Sequence, residues 1–157
     1  MKIILIVLSI ILSSSIVSQT KIFTLLDTSL IIGAEFTTRQ IYFDLGKSTL
    51  KTEANIVLDS IVIFMNRNKN VKIQVHSDSR TNPNCCDNPT ENGAHSIMQY
   101  LINHNISSER LVSKGYGEYK LLIKDEEINK VKTKKEKEAL HALNRRVVLK
   151  IVGIYTN

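Results

Sequence analysis

The chain has 157 residues, of which 43% are hydrophobic and 23% charged, and its formal net charge is +6. These values fit a single globular domain with a core and exclude a chain that is disordered throughout. The basic excess is concentrated in residues 130–137, "KVKTKKEK", where no aromatic side chain lies among the lysines. We interpret this run as a solvated loop and not as a surface that stacks nucleic-acid bases.

The first eighteen residues have the pattern of a secretory signal peptide. Lys2 gives a positive start, residues 3–12 are apolar except for Ser9, and small residues fill positions 13–18. The apolar run is too short to span a bilayer core of about 30 Å. We therefore expect export with cleavage after Ser18, and an uncleaved anchor is the alternative.

Residues 19–33 form an N-terminal lead-in in this interpretation, residues 34–153 a single domain, and residues 154–157 a short tail. The domain opens with an extended segment in which Ile41 and Phe43 share one face, followed by a turn at Leu45–Gly46. Apolar residues at helical spacing then predict a helix over "TEANIVLDSIVIFMNRN". They are Ala54, Val57, Leu58, Ile61, Val62 and Met65.

The segment "NVKIQVHSD" alternates strictly, which predicts a strand with Val71, Ile73 and Val75 towards the core. A loop runs from this strand to Pro89, and Thr90 is the expected N-cap of a second helix. A short strand near Leu111 ends at the glycines of "GYG". A short helix over residues 136–144 and a last strand over residues 147–152 complete the pattern.

The predicted order is β-α-β-α-β-(α)-β. Strands that alternate with helices of this length favour an α/β two-layer sandwich with a mixed sheet that contains at least one parallel pair. The sequence has neither internal repeats nor low-complexity tracts, which agrees with a single domain.

Four segments, in order and at suitable spacing, resemble the OmpA-like C-terminal domain family. The family's opening strand and turn are similar to "IYFDLGKSTLKTEA", and its "HTDSRG" element is similar to "HSDSR". Its "G-I-x-x-x-R-I/L-x-x-x-G-Y-G-E" run and its closing "NRRVxxxI" match "NISSERLVSKGYGE" and "NRRVVLKI". The matched segments are residues 41–54, 76–80, 105–118 and 144–151. The resemblance covers nearly all of the mature chain and implies the OmpA-like fold.

The resemblance also implies non-covalent binding of peptidoglycan through the diaminopimelate group of its peptide stem. That group needs an anion for its ammonium and a guanidinium for its carboxylate. By resemblance the anion is Asp78. The family's guanidinium comes from an arginine fifteen residues downstream, where this chain has Gly93. Loss of this arginine would weaken binding, and Arg80 is a nearby basic residue whose place in the pocket stays open.

Two further contacts are implied by the same resemblance. The first arginine of the closing motif, Arg145, corresponds to a residue near the ligand, whereas strand alternation predicts that Arg146 points away and is structural. The backbone amides of the turn Asp44–Leu45–Gly46 correspond to those that approach the ligand in the family.

Cys85 and Cys86 are the only cysteines of the chain and lie side by side in the loop after the second strand. In an exported protein they could form a disulfide, but a bond between neighbours closes a strained ring. Two free thiols, or bonds to another chain, are the alternatives. Cys86 also takes a position where relatives often have asparagine.

Other kinds of site are disfavoured. His76, Ser77 and Asp78 cannot form a catalytic triad because consecutive strand residues point to opposite faces. A metal site from His76, His95 and the two cysteines lacks the usual Cys-x₂₋₄-Cys spacing. We therefore predict a non-enzymatic periplasmic module without cofactor or metal, associated with the cell wall or outer membrane.

Two functions remain after this comparison. The first is peptidoglycan binding that ties the outer membrane or an envelope complex to the wall. The alternative is an interaction module that has lost peptidoglycan and uses the Cys85–Cys86 loop to contact an envelope protein. Neither nucleic acid nor direct contact with a membrane is expected.

Overall fold

The computed structural model describes residues 21–43, 47–78, 89–117 and 120–156. Within these ranges, none of the helices has the length and hydropathy required to cross a membrane. The expected signal peptide at 1–18 lies outside them, as do Asp44, Gly46, Cys85 and Cys86. The described strands and helices, in chain order, are β1 (Glu35–Thr38), α1 (Asn55–Arg67), β2 (Val71–Asp78), α2 (Pro89–Asn103), β3 (Leu111–Gly117), α3 (Asp125–Ile128), α4 (Lys134–Asn144) and β4 (Arg146–Ile154).

The four strands form one mixed sheet in the order β1-β4-β2-β3. Strands β2 and β3 are parallel because α2 carries the chain back between them, and β4 runs antiparallel to both β2 and β1. The register places Asp78 opposite Arg146 and His76 opposite Val148. The predicted α/β two-layer sandwich is confirmed.

Helices α1 and α2 cover one face of the sheet, and the core lies between them and the strands. The alternation predicted for β2 is correct, since Val71, Ile73 and Val75 are buried on this face. Helix α1 buries a stripe at helical spacing, namely Leu58, Ile61, Phe64 and Met65. Phe23 adds its ring to this core, stacked on Phe64 with 5.3 Å between the centroids.

The lead-in is therefore part of the packed structure. Phe23 is buried, its N–H donates to the carbonyl of Glu35, and the N–H of Glu35 donates to the carbonyl of Lys21. Ile22 forms an isolated parallel bridge with Glu35 at the outer edge of β1. The described part of the lead-in thus extends the sheet by a short edge segment.

Arg110 joins the end of α1 to the start of β2. Its buried guanidinium group donates to the carbonyls of Met65, Asn68 and Val71 at 2.9, 2.6 and 3.0 Å. The last carbonyls of a helix lack partners within the helix, so a cation beside them satisfies these acceptors and the helix dipole together. The sequence pattern gave no sign of this role.

Helix α2 lies so close to β3 that only glycine fits at position 115. A Cβ there would stand 2.6 Å from Cα of Glu91 and 2.8 Å from the carbonyl carbon of Thr90. The Glu91 carboxylate accepts a hydrogen bond from the N–H of Gly115, which fixes the first turn of α2 against the strand. The first turn of α2 and the last part of β3 are consequently held together.

The structure changes three expected element boundaries. Helix α4 begins at Lys134, where Thr133 and Glu136 form a capping box, so the second half of the lysine run at 130–137 is helical and not loop. The first strand is β1 at 35–38, not the segment around Ile41–Phe43, where Phe43 makes only an isolated bridge to Leu50. Helix α2 begins at Pro89, so Thr90 lies inside the helix and is not its N-cap. Proline suits a first helical position because its missing N–H has no partner to lose there.

Candidate functional site

The candidate site lies at one end of the sheet, called here the upper end. The parallel strands β2 and β3 finish there, helix α2 begins there, and β4 starts there. Ligands of open α/β sheets bind outside the carboxyl ends of the strands, where loops and helix starts converge. The upper end brings together Asp78 from β2, Tyr116 from β3 and Arg146 from β4.

Asp78 and Arg146 form a buried ion pair at the centre of this end. The distance from Nη2 of Arg146 to Oδ2 of Asp78 is 2.7 Å, and the two side chains are 8% and 0% exposed. Nη2 also donates to the carbonyl of Lys120 at 2.7 Å. Among the described residues, Oδ1 of Asp78 and Nη1 of Arg146 have no hydrogen-bond partner. The pair is therefore buried with unused hydrogen-bonding capacity on both sides.

His76 lies beside this pair on the face of the sheet opposite α1 and α2. Its Nε2 is 3.8 Å from Oδ2 of Asp78, and its ring meets Tyr116 edge-on with centroids 4.9 Å apart. Nζ of Lys120 stands 3.9 Å from the centroid of the Tyr116 ring, a cation–π distance. His76 itself is buried. The sequence placed it on this face correctly but did not indicate that it is covered.

Burial and nearby cations set the protonation of the cluster. Burial lowers the pKa of His76 to about 4, and the charges of Lys120, Arg146 and Lys150 act in the same direction. Burial raises the pKa of Asp78, while Arg146 and Lys120 oppose that rise. A neutral imidazole beside a carboxylate paired with arginine is the state that this environment favours near neutral pH.

Arg145 does not join Asp78. Its side chain is 52% exposed, and its Nη2 donates to Oε1 of Glu138 on α4 at 2.6 Å. Arg145 directly follows α4 and Arg146 begins β4, and the two neighbouring side chains leave in different directions. Arg146, and not Arg145, therefore occupies the position beside the Asp78 carboxylate, and contact of both Asp78 and Arg145 with a ligand stays a prediction.

Gly93 is buried in α2 and faces the ring of Phe43. A Cβ at this position would lie 3.2 Å from Cζ of Phe43, so a larger side chain would have to displace the ring. The position that the resemblance assigns to the ligand-binding arginine is thus closed by an aromatic side chain. The sequence interpretation placed Phe43 on the same face as Ile41 and did not assign it to the site.

The remaining predicted residues either lie outside the described ranges or show no cluster. Asp44, Gly46, Cys85 and Cys86 belong to the former. Within the described ranges, no three side chains of the His, Cys, Asp and Glu types gather as metal ligands would. What the described site offers chemically is a carboxylate oxygen and a guanidinium nitrogen in a desolvated setting, which suits recognition of a charged group.

Arg146, Tyr116 and Lys120 are the site residues that sequence reasoning did not select. The register Asp78↔Arg146 is the signal that would have found Arg146, because directly paired residues on neighbouring strands point to the same face. Lys120 follows β3 after a short interval, and no local pattern specifies the position of its Nζ over the Tyr116 ring.

Comparisons with known proteins agree on one family and fold. A sequence model described as the OmpA family matches residues 42–136. The periplasmic domain of Helicobacter pylori MotB is 13% identical, with 76% of this chain and 81% of that chain covered at a TM-score of 0.58. The cell wall anchor of the T6SS from Pseudomonas aeruginosa is 16% identical, with 76% and 80% covered and a TM-score of 0.58.

A third solved structure extends the same similarity. A putative MotB-like protein from Desulfovibrio vulgaris is 20% identical, with 79% of this chain and 76% of that chain covered at a TM-score of 0.59. At these identities the structural neighbours establish the shared fold, and the matched family sequence covers more than half of the chain.

Proposed function

The chain belongs to the OmpA family, and we propose that it is a non-catalytic periplasmic module that binds peptidoglycan weakly through the upper end of its sheet. Export by the N-terminal segment would bring it to the wall, where it would tie the outer membrane or an envelope complex to peptidoglycan. Two structural relatives support this setting, since one is a periplasmic domain and another a cell wall anchor.

The observation that carries the proposal is the unused oxygen of Asp78. Oδ2 pairs with Arg146, while the buried Oδ1 accepts no hydrogen bond from the described residues. A buried carboxylate oxygen without a partner is costly, and an ammonium group of a peptide stem would satisfy it. Asp78 is the residue that the family resemblance assigns to this ammonium.

Weak binding follows from what stands at position 93. Removing one side of a desolvated charge pair typically costs about 2–5 kcal/mol. For a ligand otherwise held by two charge pairs, this corresponds to roughly a 30- to several-thousand-fold loss in affinity. Gly93 supplies no guanidinium, and the Phe43 ring covers its Cα. Arg146 further reduces the charge that Asp78 offers to a cationic ligand.

Arg145 and the turn at 44–46 complete the proposed contacts. The Arg145 guanidinium is exposed and held by an equally exposed partner, Glu138, so it can exchange this partner for a ligand carboxylate at small cost. The turn would contribute backbone amides. These assignments come from the family resemblance.

Co-sedimentation with purified, insoluble sacculi tests the proposal. We expect partial sedimentation of the wild type and loss of it in Asp78→Asn, which keeps the side-chain shape and removes the charge. Glu126→Gln, an exposed acid on α3, is the matched control and should sediment like the wild type. A wild type that stays in the supernatant at every concentration would contradict peptidoglycan binding.

Introducing the family's arginine at position 93 tests whether binding to sacculi can be strengthened. Gly93→Arg alone must push against Phe43, so we expect the double change Gly93→Arg with Phe43→Ala to bind at least about tenfold more tightly than Phe43→Ala alone. Equal sedimentation of these two variants would show that the family pocket is not the site. Circular dichroism of both variants checks that the fold is retained.

A second candidate is favoured by the closed state of the same pocket. With Asp78 paired to Arg146 and Phe43 against Gly93, the module would have lost the stem-binding clamp and would use the loop containing Cys85 and Cys86 to contact an envelope protein. This alternative predicts no binding to sacculi, and release from the envelope fraction when both cysteines are changed to serine. Mass measurement with and without alkylation reports whether the thiols are free.

A further inference from the structure

The lower half of the sheet face opposite α1 and α2 has no helix packed on it among the described residues. The register sets a row of side chains across this open face: Ile22, Glu35, Lys150, Gln74 and Val112. Phe23 and Phe36 turn towards the core, so Ile22 and Glu35 turn away from it. Further up the same face, His76 and Val148 are buried, which shows that only the lower half is open.

Exposed apolar side chains gather at one corner of this open half. Ile22 is 82% exposed, Leu26 79% and Ile32 59%. Gly33 donates its N–H to the carbonyl of Ile151, which holds the connection between Phe23 and Gly33 against the end of β4. The corner patch is defined as Ile22, Leu26, Ile31, Ile32 and Val152. Five exposed large apolar residues at one corner exceed the isolated cases that are normal on a surface.

Basic side chains lie beside the corner patch. Lys72 extends from β2 and Lys150 from β4 onto the open half of the face, whereas Lys114 of β3 lies higher, level with His76, with its Nζ 5.1 Å from the centroid of the Tyr116 ring. Lys150 is paired with Glu35 at 3.2 Å, whereas Lys72 has no ion pair with a described residue. Asp27 is a further acidic residue in the corner, and it accepts hydrogen bonds from the N–H and hydroxyl of Thr24. Lys72 and Lys150 are called the basic strip.

We propose that the corner patch and the basic strip form a contact surface for an anionic lipid bilayer. Branched apolar side chains with neighbouring lysines match the boundary between acyl chains and anionic headgroups. An anionic glycan would pair with the lysines but would leave the isoleucines exposed. An apolar protein surface would cover the isoleucines but would leave the lysine charges unpaired. Direct membrane contact goes beyond the indirect association expected from the sequence, and it is independent of peptidoglycan binding at the upper end.

Vesicle flotation of the exported chain tests the surface. The two lipid samples are phosphatidylcholine alone and a mixture of about three parts phosphatidylcholine to one part phosphatidylglycerol. We expect flotation with the anionic mixture and little with phosphatidylcholine alone. Raising the salt from about 0.05 to about 0.5 M should weaken flotation, since screening shortens the range of the lysine charges.

Matched substitutions identify the side chains that contact the vesicles. Ile22→Ser with Ile32→Ser should reduce vesicle binding by at least about tenfold. Ile56→Ser with Ile63→Ser removes two equally exposed isoleucines from α1, on the other side of the sheet, and should leave binding unchanged. Lys72→Gln with Lys150→Gln should reduce binding only to the anionic mixture, while Lys134→Gln with Lys135→Gln on α4 should not.

Three outcomes would overturn the proposal. The first is absence of flotation with either lipid sample. The second is equal loss in both isoleucine pairs or in neither, which would assign any binding to another part of the exported chain. The third is a dimer in sedimentation velocity that Ile22→Ser with Ile32→Ser dissociates while vesicles bind nothing, which would make a second copy the occupant. Sacculus binding is measured separately, so the two proposals can fail independently.

Discussion

Two neighbouring arginines form ion pairs of nearly the same length in opposite surroundings. Arg146 meets Asp78 at 2.7 Å with both side chains almost fully buried, while Arg145 meets Glu138 at 2.6 Å with both largely exposed. Distance therefore says little about what either pair does. In the buried pair, each charge depends on the other because water cannot replace the partner. In the exposed pair, water and salt replace it readily.

The largest effect is expected when the buried pair is broken from one side. Arg146→Met leaves the Asp78 carboxylate desolvated and unpaired, and should lower the free energy of unfolding by about 3–5 kcal/mol. Urea denaturation at neutral pH measures this loss. Arg145→Met is the matched control, with an expected change within about 0.5 kcal/mol. Equal losses in the two variants would contradict the comparison.

Removing both charges sharpens the result. Because a buried pair repays its desolvation only in part, Asp78→Leu combined with Arg146→Met should recover most of the stability that Arg146→Met loses. A double variant as unstable as the single one would mean that the arginine acts mainly through its hydrogen bond to the carbonyl of Lys120.

The next largest effect is a pH dependence of the folding stability, which arises from His76 beside the buried pair. The pKa of His76 is lowered from 6.5 to about 4, so the folded state prefers the neutral imidazole. Its stabilising contribution is complete above pH about 6.5 and is lost as the pH falls towards 4, because the unfolded chain binds the proton first. The Tyr116 ring meets the imidazole edge-on, and the charged groups that act on it are Asp78, Lys120, Arg146 and Lys150.

A His76→Gln variant isolates this contribution. Between pH 7 and pH 5 the wild type should lose about 2 kcal/mol more stability than the variant. Asp78, whose pKa is raised, acts in the opposite direction, since its folded form holds a proton that is released as the pH rises. The contribution of Asp78 to the pH dependence is present in both the wild type and His76→Gln, so it largely cancels when their stabilities are compared. Parallel pH profiles of the two proteins would show that His76 titrates as in the unfolded chain.

The smallest effect concerns the exposed pair. A double-mutant cycle with Arg145→Ala and Glu138→Ala should give a coupling energy below about 1 kcal/mol, and added salt should reduce it further. Thermal unfolding of the four proteins is sufficient for the measurement. A coupling of several kcal/mol would mean that Arg145 is held more rigidly than its exposure indicates.

The sequence predicted the elements whose faces differ sharply in polarity. Strand β2 and helix α1 have apolar residues at periods that only one structure can bury, so their positions and inner faces were correct. Strand β1 was missed because Glu35–Thr38 lies near the sheet edge, where burial is incomplete and the polarity pattern is weak. The alternation of apolar residues at Ile41–Phe43 is present in the sequence, but this segment forms only an isolated bridge, between Phe43 and Leu50.

The candidate site was less accessible to sequence reasoning because it depends on pairing between strands. Alternation correctly separated Arg145 from Arg146, but the face that carries Asp78 follows only from the register of β2 with β4. The contact between Gly93 and Phe43 joins residues fifty positions apart, and no local pattern specifies it. Motifs located the upper end of the sheet, and long-range packing decided which side chains meet there.

Arg110 has a consequence for how the molecule opens. One guanidinium group holds carbonyls from the last turn of α1, from the residue that follows it and from the first residue of β2. These segments cannot fray one at a time, because releasing any of them leaves the same buried cation short of an acceptor. The lower end of the domain therefore opens as one cooperative unit, in which the amide hydrogens of the helix end and the strand start exchange with solvent at a shared rate.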